Sequence, residues 1–196
     1  FVIGNNEKKN VRDTFYSLTG QSRFSDSMPL AVTLEKENIV ELDNLEYKNQ
    51  VNIRRNYCVL EKTDGERCLL FIDNEGIMYL VNRQNDIIKT GVKCLNSINC
   101  LIDGEYVTKN LSGKNIRKYL AFDLYFSQSE DFRERILNRN HEERNSNEIE
   151  KSRLEELEDV ISNFNLVREE CDKEFIIEMK IFKYGDIDEY DSKTQT

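Results

Sequence analysis

The chain has 196 residues, 38% of them apolar, enough for one domain with a buried core, and the sequence predicts a single globular unit. Acidic side chains (37) outnumber lysines and arginines (28) for a net charge of −9, which excludes a long nucleic-acid track, because phosphate contacts need clustered cations. The chain opens at Phe1 rather than Met and holds no signal peptide or bilayer-length apolar run, so the expectation is a cytoplasmic piece of a longer polypeptide with no membrane partner.

The charge is uneven. Residues 128–174 carry 15 acidic and 8 basic side chains, which leaves the remainder nearly neutral and compatible with a short basic pocket. The odd set Cys58, Cys68, Cys94, Cys100 and Cys171 contains no C-x-x-C pair and reads as reduced core thiols. His141, the sole histidine, stands in the polar stretch NRNHEERNSN, which argues against a Ser-His or Cys-His catalytic machine.

In chain order, NVRDTFYSLTG places Val11, Phe15 and Leu18 at helical spacing and ends at Gly20, predicting a short amphipathic helix with a glycine C-cap. SRFSDSMPLAVTL, with the only proline at Pro29, predicts a loop leading into an extended segment. From Asn56 to Phe126 the pattern changes to the short apolar runs YCVLE, RCLLFI, GIMYLVN, CLIDGEYV and YLAFDLYF, which predict strands joined by Asp-Gly and Asn-Glu-Gly hairpin turns. EIEKSRLEELEDVISNF sets Ile149, Leu154, Leu157, Val160, Ile161 and Phe164 on one stripe, predicting a helix capped by Asn147 with Glu150 three residues on. EFIIEMKIFKY predicts a further strand, and the order helix, antiparallel strands, helix, strand predicts an α+β domain.

The stretch VLEKTDGERCLLF supports two readings. As a hairpin, its Asp-Gly supplies the turn, and Lys62 and Arg67 are solvated strand ends. The pattern K-x-D-G-x-R, however, has a chance occurrence on the order of one in a few hundred in a chain of this length. It is followed by LIDGEYV (Leu101 to Val107) and YLAFDLYF (Tyr119 to Phe126).

In this order and at these intervals the three motifs resemble the covalent nucleotidyltransferases, the superfamily of mRNA capping guanylyltransferases and ATP-dependent DNA and RNA ligases. MPLAVTLEKENI is similar to the segment preceding the nucleophile in capping enzymes of large cytoplasmic DNA viruses, and Thr63 after Lys62 also points to capping. The resemblance implies a ligase/capping-type fold of antiparallel sheets with flanking helices. It implies that Lys62 attacks the α-phosphorus of GTP, that GMP passes to a 5′-diphosphate RNA end, and that other capping-enzyme domains or subunits are partners. A lysine with pKa near 10.4 is almost wholly protonated at neutral pH, so the apolar YCVL run, Arg67 and a bound metal are expected to disfavour its charge.

The resemblance further assigns Arg67 to the nucleotide sugar, Arg83 to the ribose and α-phosphate, Phe122 to stacking on the purine, and Lys180, with Lys183 as fallback, to the triphosphate. It assigns Glu105 to the ribose and to a catalytic Mg²⁺ or Mn²⁺, for which oxygen ligands are suited. Competing structural readings are a surface ion pair for Arg67, a core ring for Phe122, and a turn position for Asp103 before Gly104. Two later family motifs and an OB-fold domain have no counterpart in the 196 residues. The expectation is therefore an incomplete nucleotidyltransferase core over 1–196, with a charged helical insertion at about 128–174. The rival functions are an ATP-dependent polynucleotide ligase and a non-catalytic RNA-binding or interaction module, and the cytoplasm, a virion or a viral factory is the expected location.

Overall fold

A computed structural model describes residues 2–41, 43–44, 46, 51–54, 57–138, 150–168 and 174–183. His141, Cys171 and the predicted cap Asn147 lie outside the described residues. The chain divides into two compact units where the sequence predicted one: Phe1–Pro29 with Thr63–Met179, and Leu30–Lys62 with Lys180–Thr196.

The first unit opens with helix α1 (Asn5–Thr19), which begins five residues before the predicted start because its first turns, NNEKK, are polar and carry no apolar period. Val11 and Phe15 are buried, and Gly20 takes the left-handed conformation (φ 71°), its N–H bonding the Tyr16 carbonyl. The predicted loop beyond it contains a 3-10 turn, Phe24–Ser27, whose Phe24 ring centroid lies 4.0 Å from that of Phe15.

The strands in chain order are β1 (Val59–Leu60), β2 (Glu66–Ile72), β3 (Ile77–Asn82), β4 (Ile87–Cys94), β5 (Cys100–Lys109), β6 (Asn115–Ser127), β7 (Glu130–Asp131), β8 (Leu166–Arg168), β9 (Ile176–Met179) and β10 (Phe182–Lys183). In the first unit eight described strands form one sheet of order β7-β6-β5-β2-β3-β4-β8, with β9 added parallel to β6 and every other pairing antiparallel. This is the α+β architecture expected. The Asn-Glu-Gly turn joins β2 to β3, and the Asp73 carboxylate accepts from the Glu75 and Ile77 amides within it.

Three expectations about the strands are corrected. The Asp64-Gly65 step is no hairpin: β1 pairs with β10 in a separate two-stranded sheet of the second unit, while β2 pairs with β3 and β5. Strand β4 was not predicted, because IIKTGVKC mixes lysines with a glycine at φ 79°. EFIIEMKIFKY is two strands, β9 and β10, that belong to different units.

Within 128–174, helix α2 (Arg153–Ser162) buries Leu154, Leu157 and Val160 and packs on β6 and β9, while β8 joins the sheet beside β4. The helix starts later than predicted because Ser152 forms the capping box with Glu155. On one face of the sheet, Leu69, Phe71, Tyr79, Val81 and Leu101 build a core with Val11, Phe15, Phe24 and Met28. Cys68, Cys94 and Cys100 are buried free thiols, as expected of core cysteines. Burial pushes the Cys68 thiol up to about 12 and the Cys100 thiol up to about 11.

Candidate active site

Along β2 and β5 the apolar face turns polar at one end of the sheet. Leu69 lies opposite Asp103 and Arg67 opposite Glu105, so one step beyond the core a cation and two carboxylates share a face. The backbone alternation thus brings Arg67 of the first motif together with Asp103 and Glu105 of the second on adjacent strands. On the other side of β5, β6 carries the third motif, with Leu120 opposite Glu105.

Arg67 Nε donates to Asp103 Oδ1 at 3.1 Å and Nη2 to Oδ2 at 2.5 Å, a bidentate pair with the carboxylate wholly buried and the guanidinium side chain 28% exposed. Nη1 donates to the Pro29 carbonyl at 2.7 Å, and the Phe122 ring centroid lies 5.6 Å from Cζ, within cation–π range. The hydrogen bonds to Asp103 hold Arg67 above its ordinary value, so it stays charged. Tyr125, 6% exposed, donates its hydroxyl to Asp103 Oδ2 at 2.6 Å; burial first, then the Asp103 charge, keeps that phenol protonated.

Asp103 is therefore a strand residue and a buried partner of Arg67, not the turn residue expected. Asp-Gly is a turn signal only locally, whereas Gly104 answers a packing demand. A Cβ there would stand 2.5 Å from Tyr119 Cζ and 2.7 Å from the Leu120 carbonyl oxygen. Gly65 is explained in the same way: a Cβ would meet Glu105 Cγ at 2.8 Å and the Tyr106 carbonyl at 2.9 Å. The loop that follows Lys62 thus runs against Glu105. Sequence reasoning missed Asp103 and Tyr125 as site residues; the available signal was an aspartate directly after the apolar run CLI, whose burial calls for a partner to its charge.

Thr63 is half-buried at the start of the Thr63–Gly65 loop, and Arg83 is exposed on the turn between β3 and β4, just beyond Asn82, which pairs with Cys68. Arg83 is at the same end of the sheet as Arg67, on the far side of β2 from Glu105. Lys62 and Lys180 belong to the second unit. There β1 and β10 pair Leu60 with Phe182, and continuing that register sets Lys180 across from Lys62; Lys180 Nζ lies 3.5 Å from the Glu61 carbonyl oxygen. The expected desolvation of Lys62 by YCVL is not found: Lys62 is exposed, as are Tyr57 and Val59, because among the described residues of this unit none is buried. Lys183, the fallback, is exposed on β10.

For a divalent cation, the described residues gather no trio of Asp, Glu, His or Cys. Magnesium in nucleotide sites needs only one or two carboxylates and takes its remaining oxygens from phosphates and water. Glu105, half-buried on a central strand, is a donor of that type, and Asp103 is held by Arg67 and Tyr125. The donor set fits a cation shared with a triphosphate.

A mostly antiparallel sheet flanked by helices, with Arg67, Glu105 and Phe122 of the three motifs on neighbouring strands, is a nucleotidyltransferase-type domain of the capping and ligase kind. Residues 2–186 match the family of the mRNA capping enzyme catalytic domain, and the chain belongs to it. It is 32% identical over 107 residues to a probable mRNA-capping enzyme of Acanthamoeba polyphaga mimivirus, a match covering 49% of this chain and 9% of that protein. Among solved structures, a mycobacterial DNA ligase D complexed with ATP and MES is similar over 64% of this chain and 40% of that one, at 16% identity and a TM-score of 0.38. Among the described residues no helix is long and apolar enough to cross a membrane.

Proposed function

We propose that this chain is the guanylyltransferase core of an mRNA capping enzyme that works in the cytoplasm. The observation that carries the proposal is the cluster on β2, β5 and β6, where Arg67 stands opposite Glu105 and over Phe122, with Gly65 packed against Glu105.

In this reading the purine stacks on Phe122, and Arg67 and Arg83 donate to the sugar and α-phosphate, with Thr63 beside them. Glu105, together with the phosphates, would hold a divalent cation whose contribution is to neutralise phosphate charge. The Lys62 amine gives its proton to water that leaves the site as the nucleotide binds, and its lone pair attacks the α-phosphorus. A P–N bond forms, the bond to the β-phosphate oxygen breaks, and pyrophosphate leaves with its charge met by Lys180. A β-phosphate oxygen of a 5′-diphosphate RNA end then attacks the same phosphorus, the P–N bond breaks as its nitrogen takes a proton from water, and GpppRNA departs.

The test is incubation of the full-length polypeptide carrying this chain with α-labelled GTP or ATP and Mg²⁺ or Mn²⁺. The expected result is covalent label from GTP, lost in acid, kept in alkali, and absent in Lys62→Ala. Label from ATP alone would move the protein to the polynucleotide ligases, and label persisting in Lys62→Ala would remove that residue as nucleophile.

A further inference from the structure

Arg67 is held on more sides than an ion pair requires. Of the five N–H groups of a guanidinium, three are committed: Nε and Nη2 to Asp103 and one on Nη1 to the Pro29 carbonyl. Among the described residues one N–H on Nη1 and one on Nη2 have no acceptor, and the side chain is 28% exposed. Behind the pair, Tyr125 donates to the same Asp103 Oδ2 that accepts from Nη2, and Asp103 is wholly buried. The carboxylate therefore cannot turn without losing a hydrogen bond in a site closed to water, and the arginine cannot turn without losing the carboxylate.

We infer that Asp103 and Tyr125 are a positioning pair that fixes the two remaining Arg67 N–H groups in one direction, toward hydroxyl acceptors of the nucleotide sugar. The inference rests on the nucleotide-binding reading of this site. Its physical content is preorganisation: the rotamer entropy of the arginine is lost when the chain folds rather than when the nucleotide binds. Tyr125 lies on β6 within the core cluster, so the pair also ties the direction of Arg67 to strand packing. Tyr125 touches no reacting atom in this arrangement and acts only through Asp103.

The experiment is titration calorimetry of GTP with Mg²⁺ against the full chain carrying Lys62→Ala, which blocks the covalent step, alone and combined with Tyr125→Phe, with Arg67→Ala and with both. Arg67→Ala is expected to weaken GTP binding. Tyr125→Phe, which keeps the buried ring, is expected to raise Kd roughly fivefold. That increase should vanish in the Arg67→Ala background. It should also vanish with 2′,3′-dideoxy-GTP, which lacks the acceptors.

A Tyr125→Phe effect of equal size in both backgrounds, or no effect while Arg67→Ala weakens binding, overturns the positioning pair and leaves the site assignment standing. Unchanged affinity in Arg67→Ala overturns the site assignment and the pair with it. As a second arm independent of Tyr125, Arg67→Lys keeps the charge without the fork and should lose discrimination between GTP and the dideoxy analogue; retained discrimination overturns the inference.

Discussion

Gly104 sits where three strands compete for one volume. Because it has no side chain, the Tyr119 ring crosses over it from β6 to the seam between β2 and β5. There its hydroxyl accepts from the Leu70 amide at 3.1 Å and lies 2.9 Å from the Cys68 and Ile102 carbonyls. Gly104→Ala must displace a wholly buried ring or the β6 backbone, and a loss of about 2–3 kcal/mol in urea denaturation is expected. Asp73 presents the opposite case, in which a charge is the cost. Burial is the main influence raising its carboxyl above the usual range; Glu75 adds to this, while Lys93 and the Glu75 and Ile77 amides oppose it. A raised native value means the folded state holds the proton longer, so stability falls as pH rises through that value. Asp73→Asn can accept the same two amide bonds without the charge, and its thermal midpoint should exceed that of wild type at pH 7. The difference should fade below the ordinary carboxylate range, and a variant less stable at pH 7 would refute the account. At this scale the site was half legible. Arg67, Glu105 and Phe122 come together on three neighbouring strands, because strand alternation is encoded locally. Asp103 and Tyr125 were not seen, since their partnership depends on which strands pair.

At the scale of elements, the turn between β6 and β7 places both central residues, Gln128 (φ 50°) and Ser129 (φ 71°), in the left-handed region. Two such residues are the signature of a type I′ hairpin, for which Asn-Gly is the favoured pair. The double substitution Gln128→Asn, Ser129→Gly gives up exposed bonds to Asn96 and Asn99 and relieves two strained positions. A net gain of about 1 kcal/mol is expected in chemical denaturation. Helix α2 is fixed differently: Arg153 forks onto Asp123 and also donates to the Arg133 and Arg135 carbonyls, so its first turn is tied to β6 and to the chain beyond β7. Helix α2 was legible from its stripe of Leu154, Leu157 and Val160, while its start was not. Ser152 and Asn147 are both acceptable caps locally, and only the docking of Arg153 on Asp123 distinguishes them. The Asp64-Gly65 hairpin failed for a similar reason. Local turn propensity cannot reveal that β1 has a partner more than a hundred residues away in β10.

Across the whole molecule the two units differ in how they are held. Leu69, Leu70, Phe71 and Ile72 on β2 and Leu101 and Ile102 on β5 are wholly buried, and each of these strands is hydrogen-bonded on both sides. In the second unit no described residue is buried, and β1 and β10 share a ladder of two residue pairs. A two-stranded ladder of partly exposed residues is marginal in water, and local opening there needs little of the free energy that opening the sheet requires. Amide hydrogen exchange should therefore be fastest at 57–62 and 180–183 and slowest in β2 and β5. Protection at Val59 and Leu60 equal to that at Leu70 would contradict this ranking. The ranking bears on the chemistry, because an exposed lysine on a weakly held segment is a poor nucleophile until something orders it. If GTP supplies that order, GTP with Mg²⁺ should slow exchange at 57–62 more than in the already rigid β5. Slowing confined to β2 and β5 would separate Lys62 from the nucleotide.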